Sequence, residues 1–498
     1  MRTIARVLDA PLAERPHATA VVARSGTLTY RQLDAAADAS AAALWAGGVR
    51  PGDRVAACLP NDLGVVAAFH GAQRIGAIWV GIGEALTEPE QRLLAEDCAP
   101  AAILAGPQCK LSDPAAITEG QWSELCASAP AAPRVESDAH APAGIAYTSG
   151  TTGQPKGIVH SQHNLLLPGA VLNASRGWGP SLRKGDCLPL TILNMLVLTT
   201  LLTAQAGGCC IVMDRRDAEG IAEWVSRERI GVWNGAPAQL YDLARHPELD
   251  LSALTEIWAG GGDCSEQLRK TFHTVHGRHV RATYGLTEAP TVVAIDPVGE
   301  EWQGSASGRV LPHLEVAARG GDGGVLPPGT EGELHIAAAS SGPWAGAWTP
   351  MLGVWEDGGV RPAADAGLTG DIGTVDADGW LSVVGRKKVV VVRGGANVYP
   401  AEVERVLTAA PEVAAAAVFG VPDERLGERV AALVQPVGGH IDLDKLRADC
   451  SRELARYKVP EIWKAVPLLP TNAMGKVIRT GLADLLGDAR YGHPHDDT

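Results

Sequence analysis

The chain is short of positive charge. Lys and Arg total 43 against 57 Asp and Glu, a formal net charge of -14 over 498 residues. Nucleic-acid binding needs basic patches that neutralise phosphates, so this balance excludes a nucleic-acid partner. It leaves room for a single nucleotide, which needs only a few placed groups. The nine cysteines include no CxxC pair. Cys209 and Cys210 are adjacent and the rest are scattered, which fits reduced thiols in a cytosol rather than a disulfide framework. The first residues, MRTIARVLDAPLAERPH, lack the apolar core of a signal peptide. The longest apolar stretch, Leu196 to Met213, is broken by Thr199, Thr200, Thr203 and Gln205. It falls short of the roughly 20 apolar residues that span a bilayer, and reads as a buried helix followed by a strand, CCIVM. No internal repeat and no low-complexity segment is present, which excludes solenoids and arrays.

What is present is a large aliphatic core. Hydrophobic residues make up 46% and charged residues 20% of the chain, a globular balance at a length of several domains. The first part alternates helix and strand signals. Arg31 to Ala46 sets Leu33, Ala37, Ala41 and Leu44 on one face, and Gly47–Gly48 ends that helix. RVAACLP reads as a strand and LGVVAAFHGAQRIGAIWV as a buried helix. PAAILAG, CCIVM, GVWNGAP and LTEIWAGG continue the series of short apolar strands. Such strands between helices predict a mostly parallel, helix-covered α/β architecture. Hairpin material with Pro-Pro-Gly-Thr and Asp-Ala-Asp-Gly turns predicts a β-rich subdomain over about 310–385. Residues 386–484 read as a small mobile α+β domain, with helices over Ala401–Ala410 and Asp442–Tyr457. Residues 485–498 read as a flexible tail.

One stretch concentrates small donors around a cation: YTSGTTGQPKG, Tyr147 to Gly157. Glycines let successive N–H groups converge, hydroxyls add donors, and Lys156 adds charge, so the loop suits polyphosphate. It is not a Walker A loop, because GxxxxGK[ST] is not matched. Four further motifs follow in order: YGLTE (Tyr284–Glu288), TGD (Thr369–Asp371), GRKK (Gly385–Lys388) leading to GGANVYP, and NAMGK ending at Lys476. With these motifs the chain resembles, over nearly its whole length, the adenylate-forming enzymes. That superfamily holds acyl-CoA synthetases, peptide-synthetase adenylation domains and beetle luciferases.

The resemblance implies an AMP-forming acid–CoA ligase. A carboxylate attacks the α-phosphorus of ATP, pyrophosphate leaves, and the thiol of coenzyme A then displaces AMP. It implies ATP, Mg²⁺ and coenzyme A as cofactors. Thr148, Ser149, Gly150, Thr151, Thr152 and Lys156 would hold the β- and γ-phosphates. Thr287 would touch the α-phosphate and Glu288 would carry Mg²⁺. Tyr284 would lie against adenine, and Asp371 and Arg386 would reach the ribose. Lys476 would bridge the substrate carboxylate and the α-phosphate. Lys388 would be the hinge about which the small domain turns, bringing Gly394 and Gly395 to the thiol arm.

Three positions depart from the family's pattern. Val389 stands in place of an acidic residue after the hinge, within a valine strand Val389–Val392. Ala396 replaces a frequent Glu, and Ile192 an aromatic residue or His. They leave open an enzyme specialised for one half-reaction, either thioesterification alone or adenylation with loading of a carrier protein. Pro189 to Leu196 carries no Asp for an α-ammonium, which disfavours an amino acid. The expected acid pocket comprises Ile192, Asn194, Trp233, Asn234, Gly260, Gly261, Gly262, Gly285, Leu286 and Pro290. Small residues in WAGGGDC, from Trp258 to Cys264, are expected to leave space. That lining predicts a bulky, mostly apolar acid: aryl, alicyclic or terpenoid-like. His273, His276 and His279 match no strong zinc spacing. GGDCS carries Cys264 where a carrier protein's attachment Ser would stand.

Overall fold

The computed structural model describes residues 3–149, 155–260, 264–300, 302–304, 306–363, 367–387, 389–393, 396–423, 425–472, 475–487 and 490–491. Two large sheets form the body. One runs, from edge to edge, through Arg309–Val310, Val292–Ile295, Val280–Gly285, Glu256–Ala259, Val232–Gly235, Arg183–Asp186, Cys209–Val212, Thr19–Ala23 and Gly26–Thr29. Its six central strands are parallel and its rims antiparallel. The other contains parallel strands Ala116–Thr118, Ala102–Ala105, Arg54–Cys58, Ile78–Gly81 and Pro142–Ser149. Pro155–Ser161 and a hairpin of Gly353–Glu356 with Gly359–Arg361 complete it.

Helix Leu63–Arg74 is buried from Val65 to Arg74. A helix apolar all round belongs between layers, and it shares one core with residues of both large sheets. The apolar run that reads as one helix to Val80 is in fact helix Leu63–Arg74 followed by strand Ile78–Gly81. Gly76, at φ +71°, makes the break. An apolar run alone does not distinguish a buried helix from a buried strand. Leu196 to Met213 folds as a π-helical turn, Leu196–Leu201, then helix Leu202–Ala206 and strand Cys209–Val212. Among the described residues no helix is long and apolar enough to cross a membrane.

A four-stranded antiparallel sheet follows: Leu314–Arg319, Gly332–Ala338, Leu368–Val375 and Leu381–Arg386. The last sheet is built on the hairpin of Val413–Asp423 with Gly427–Pro436, flanked by Val391–Arg393 and Ile462–Ala465. Helices Pro400–Thr408 and Leu443–Glu453 cover it. Val389 lies outside the valine strand, with its N–H donating to the Arg386 carbonyl at 3.0 Å. In the stretch read as a tail, Arg490–Tyr491 pairs antiparallel with Ile462–Trp463.

Three histidines, His70, His160 and His313, are at most 2% exposed. Burial pushes them down to about 3, about 4 and about 4, from the ordinary 6.5. They fold neutral and take up protons on unfolding in acid. Their contribution is therefore complete above pH 6.5 and is lost as pH falls towards 4 and 3, up to about 3 kcal/mol for a shift the size of that of His160. The thermal midpoint should fall steadily as pH drops from 6.5 to 4.5, and His313→Gln should make that slope shallower. A midpoint flat across this range would contradict the assignment.

Candidate functional site

The site forms where the parallel strands of the large sheets end, the usual place for ligands in α/β folds. The Tyr147–Gly157 motif is a hairpin: Thr148 pairs with Lys156 and Ser149 with Pro155. Thr148 is partly exposed and Lys156 exposed. Gly150, Thr151 and Thr152 lie outside the described residues, as does the Ser149 side chain. The stem is braced on its far side. The Tyr147 hydroxyl donates to the Asp97 carboxylate, and Trp355 Nε1–H donates to the Asp97 carbonyl at 3.0 Å. Gly157 is needed by packing, since a Cβ there would sit 2.9 Å from Ile145 Cγ2 and 3.2 Å from the Tyr147 ring.

YGLTE closes the opposite wall. Strand Val280–Gly285 carries Tyr284 and then turns. A Cβ at Gly285 would lie 1.8 Å from the Thr291 carbonyl oxygen, so no larger residue fits this turn. The Thr287 carbonyl accepts a 2.7 Å hydrogen bond from His160 Nε2. Because a carbonyl can only accept, that nitrogen carries the proton. His160 is held neutral by burial, so this bond pins the turn without adding charge. Sequence reading missed His160, because its partner is a backbone atom more than a hundred residues away.

Asp371 is the hub of the site. It is 3% exposed. Oδ2 accepts from the Tyr284 hydroxyl at 2.7 Å and Oδ1 from Arg386 Nε at 2.9 Å. Arg386 is its cross-strand partner in the four-stranded sheet, so the ladder aims the guanidinium. The Arg386 side chain stays 56% exposed. Burial, then the Asp371 charge, push the Tyr284 phenol far above its ordinary value. Tyr284 therefore stays a neutral donor.

Lys476 arrives from the small sheet on a tight loop. The Asn472 N–H donates to the Lys476 carbonyl at 2.9 Å, and the Lys476 N–H to Asn472 Oδ1 at 3.0 Å. Gly475, at φ +74°, makes the turn, and a Cβ on it would lie 3.7 Å from the Cβ of Ala236, which follows strand Val232–Gly235. The loop thus docks against the large part of the chain. Loss of water around its amine, then the Arg386 guanidinium, lower the Lys476 ammonium from 10.5, while Asp371 and Glu288 pull it back up. The residue itself remains open to solvent, so the crowding is that of a cleft mouth, not a core. Lys476, Arg386, Asp371 and Glu288 therefore share one electrostatic neighbourhood, although they lie in separate parts of the chain.

The expected acid pocket is only partly assembled. Ile192, Asn194 and Gly260 are partly open and Gly285 is exposed. Asn234 is 7% exposed, and the amide oxygens of Asn194 and Asn234 are buried with no protein partner. Leu286 and Pro290 are buried behind this opening. Trp233 does not belong with them. Successive strand residues face opposite ways, and Trp233 points away from Asn234 into a core with Ile211, Met213, Trp224 and Phe272. Gly261, Gly262, Lys388, Gly394 and Gly395 lie outside the described residues.

Two family models match the chain: AMP-binding enzyme over residues 8–342, and AMP-binding enzyme C-terminal domain over residues 402–476. The chain belongs to this family, in its acyl-CoA ligase branch. It is 32% identical to the long-chain-fatty-acid–CoA ligase FadD13 of Mycobacterium tuberculosis, over 92% of this chain and 93% of that protein. It is 33% identical to a feruloyl-CoA synthase of Amycolatopsis, over 93% and 95%. Among solved structures, ATP-bound MatB from Rhodopseudomonas palustris matches at a TM-score of 0.85 and 26% identity, over 97% of this chain and 99% of that one. Apo MatB, with the same identity and coverage, gives 0.75. The chain thus superposes better on the ATP-bound structure than on the apo one.

A hydrogen bond to a charged group contributes about 1.5–3 kcal/mol. Tyr284→Phe should accordingly lower unfolding free energy in urea by about 2 kcal/mol. An unchanged denaturation midpoint would mean that the Tyr284–Asp371 bond does not hold the two sheets together.

Proposed function

We propose that this ligase activates a bulky, mostly apolar carboxylic acid, of aryl, alicyclic or terpenoid-like type, and passes it to coenzyme A. The observation that carries the reading is the Gly475–Lys476 loop set against the large part of the chain, with the Lys476 amine within electrostatic reach of Asp371, Arg386 and Glu288. The apolar lining expected around Ile192, Leu286 and Pro290 supports the acid class.

In the first step a carboxylate oxygen of the acid bonds to the α-phosphorus of ATP and the bond to pyrophosphate breaks. Two anions must approach, so the site has to supply cations and donors. In this reading the Lys476 ammonium lies between carboxylate and α-phosphate. Thr287 donates to the α-phosphate, and Lys156 with the Thr148 hydroxyl holds the outer phosphates. Asp371, fixed by Tyr284 and Arg386, faces the ribose diol. Glu288 offers one carboxylate beside the phosphates, and one carboxylate plus phosphate oxygens is a common way to hold Mg²⁺. When bound, Mg²⁺ neutralises charge on the phosphates.

In the second step the thiol of coenzyme A attacks the acyl carbon and AMP leaves. Lys476 occupies the mouth of the cleft, so this step needs a second arrangement. We place its pivot at Lys388, between a large part ending near 385 and a small part over 386–484. Gly394 and Gly395 would then face the thiol arm. A hinge at an element end can absorb such a change of backbone angles.

Lys476→Ala should lower adenylate formation about 100-fold or more while sparing transfer from a supplied acyl-adenylate to coenzyme A. Retention of full adenylation, read by mass spectrometry, would remove Lys476 from the mechanism. The ammonium of Lys476 is held below 10.5, so its charge is lost earlier than usual as pH rises. Adenylation should fall on an alkaline limb below that pH. Lys476→Arg, whose side chain stays charged, should shift that limb upward in whatever activity it retains.

A further inference from the structure

Along the face of the large sheet that carries Asn234, one large side chain, Trp258, is almost wholly buried. Paired residues on neighbouring parallel strands face the same way. Lys184 pairs with Val232, Asn234 with Trp258, and Trp258 with Arg281. Lys184, Asp186, Asn234, Trp258, Gly260 and Thr283 therefore share one face of the large sheet. Openness falls along that face from the strand ends inward. Gly285 is exposed, and Thr283 and Gly260 are partly open. Asn234 is 7% exposed, Trp258 1% and Lys184 0%. The facing wall is shut as well, since the π-helical turn Leu196–Leu201 is buried throughout.

Trp258 is held from three sides. Its Nε1–H donates to Glu256 Oε1 at 2.7 Å. Its ring stacks on Trp178, with centroids 5.6 Å apart and planes 27° apart. Lys184 Nζ lies 5.2 Å from its ring centroid. That ammonium is paired with Asp186 at 2.6 Å, with neither side chain exposed, and the Thr199 hydroxyl of the facing helix donates to the same carboxylate. Moving the indole aside would disturb the packing over this dry, fully buried ion pair, which is costly. Gly260, two residues on and on the same face, leaves room above it.

We infer that Trp258 is the depth stop of the acyl site, so that the acid this enzyme activates is compact, a single ring or a short branched chain, and not an extended alkyl or isoprenoid tail. This rests on the reading that the cleft activates an acid, and narrows that acid among the classes proposed.

The experiment has two arms. In the first, the wild-type enzyme receives ATP, Mg²⁺ and each of benzoic acid, cyclohexanecarboxylic acid and the straight-chain acids from butanoic to palmitic, and acyl-AMP is read by mass spectrometry. Silence across the whole series would overturn acid activation itself without touching the depth stop. In the second arm, non-reactive acyl-sulfamoyl adenosines with the same acyl groups are titrated by calorimetry, so that depth is read without turnover. Affinity should drop about 10-fold or more once the chain outruns the floor. Trp258→Ala should move that drop to longer chains, strengthening the long-chain mimics about 10- to 100-fold. Trp258→Leu covers the Lys184–Asp186 pair with an apolar group and carries the same test if the alanine variant does not fold. Wild-type protein binding the palmitoyl mimic as tightly as the benzoyl mimic would overturn the inference. So would an unchanged length profile in the folded variants.

Discussion

The Asp371 carboxylate holds the catalytic cleft together. One oxygen takes the Tyr284 hydroxyl from the large sheet, and the other takes Arg386 from its own sheet. The positive charge of Arg386 then bears on Lys476, which comes from the small sheet. Two pieces of structure thus meet at one buried acid, and the charge of a third lies within its electrostatic reach. A buried carboxylate is tolerated only when its oxygens are bonded and its charge is matched, so the arrangement constrains all its members at once. Taking away one partner would leave charge unbalanced in the cleft, not merely one contact fewer.

The same balance of charge acts on Lys476 at the mouth of the cleft. Lys476 is repelled by Arg386 and Arg479 and attracted by Asp371 and Glu288, while its residue stays open to water. The loop lies beside the large part of the chain, with Gly475 near Ala236. An exposed lysine on such a loop suits the proposed two-arrangement cycle, in which the small part leaves after adenylation. Strong burial would favour one arrangement at the expense of the other.

Much of the site was legible because its groups sit in short contiguous motifs. YGLTE, TGD and GRKK each carry their polar residues within a few positions, and the fold brings Tyr284, Asp371 and Arg386 into direct contact. The parallel α/β body was legible from its short apolar strands. What escaped depends on contacts distant in sequence or on which way a strand faces. The His160 bond to the Thr287 carbonyl spans two sheets. Trp233 and Asn234 are neighbours in sequence, yet the pleat sends one into the core and the other towards the cleft. The glycines after Trp258 predict a roomy wall, but the register beside Asn234 puts the indole itself on that face of the sheet. The helix break at Gly76 and the strand Arg490–Tyr491 follow from a left-handed turn and from late edge pairing, neither of which an apolar run announces.

The most direct measurement combines ATP, Mg²⁺ and a panel of single-ring apolar acids with the enzyme, with and without coenzyme A, and reads acyl-AMP and acyl-CoA together. The account predicts acyl-AMP from free acid when coenzyme A is absent, and its replacement by acyl-CoA and AMP when coenzyme A is present. Acyl-CoA formed only from supplied acyl-adenylate, never from free acid and ATP, would contradict it, because the Lys476 cleft would then not be doing the chemistry its geometry provides for.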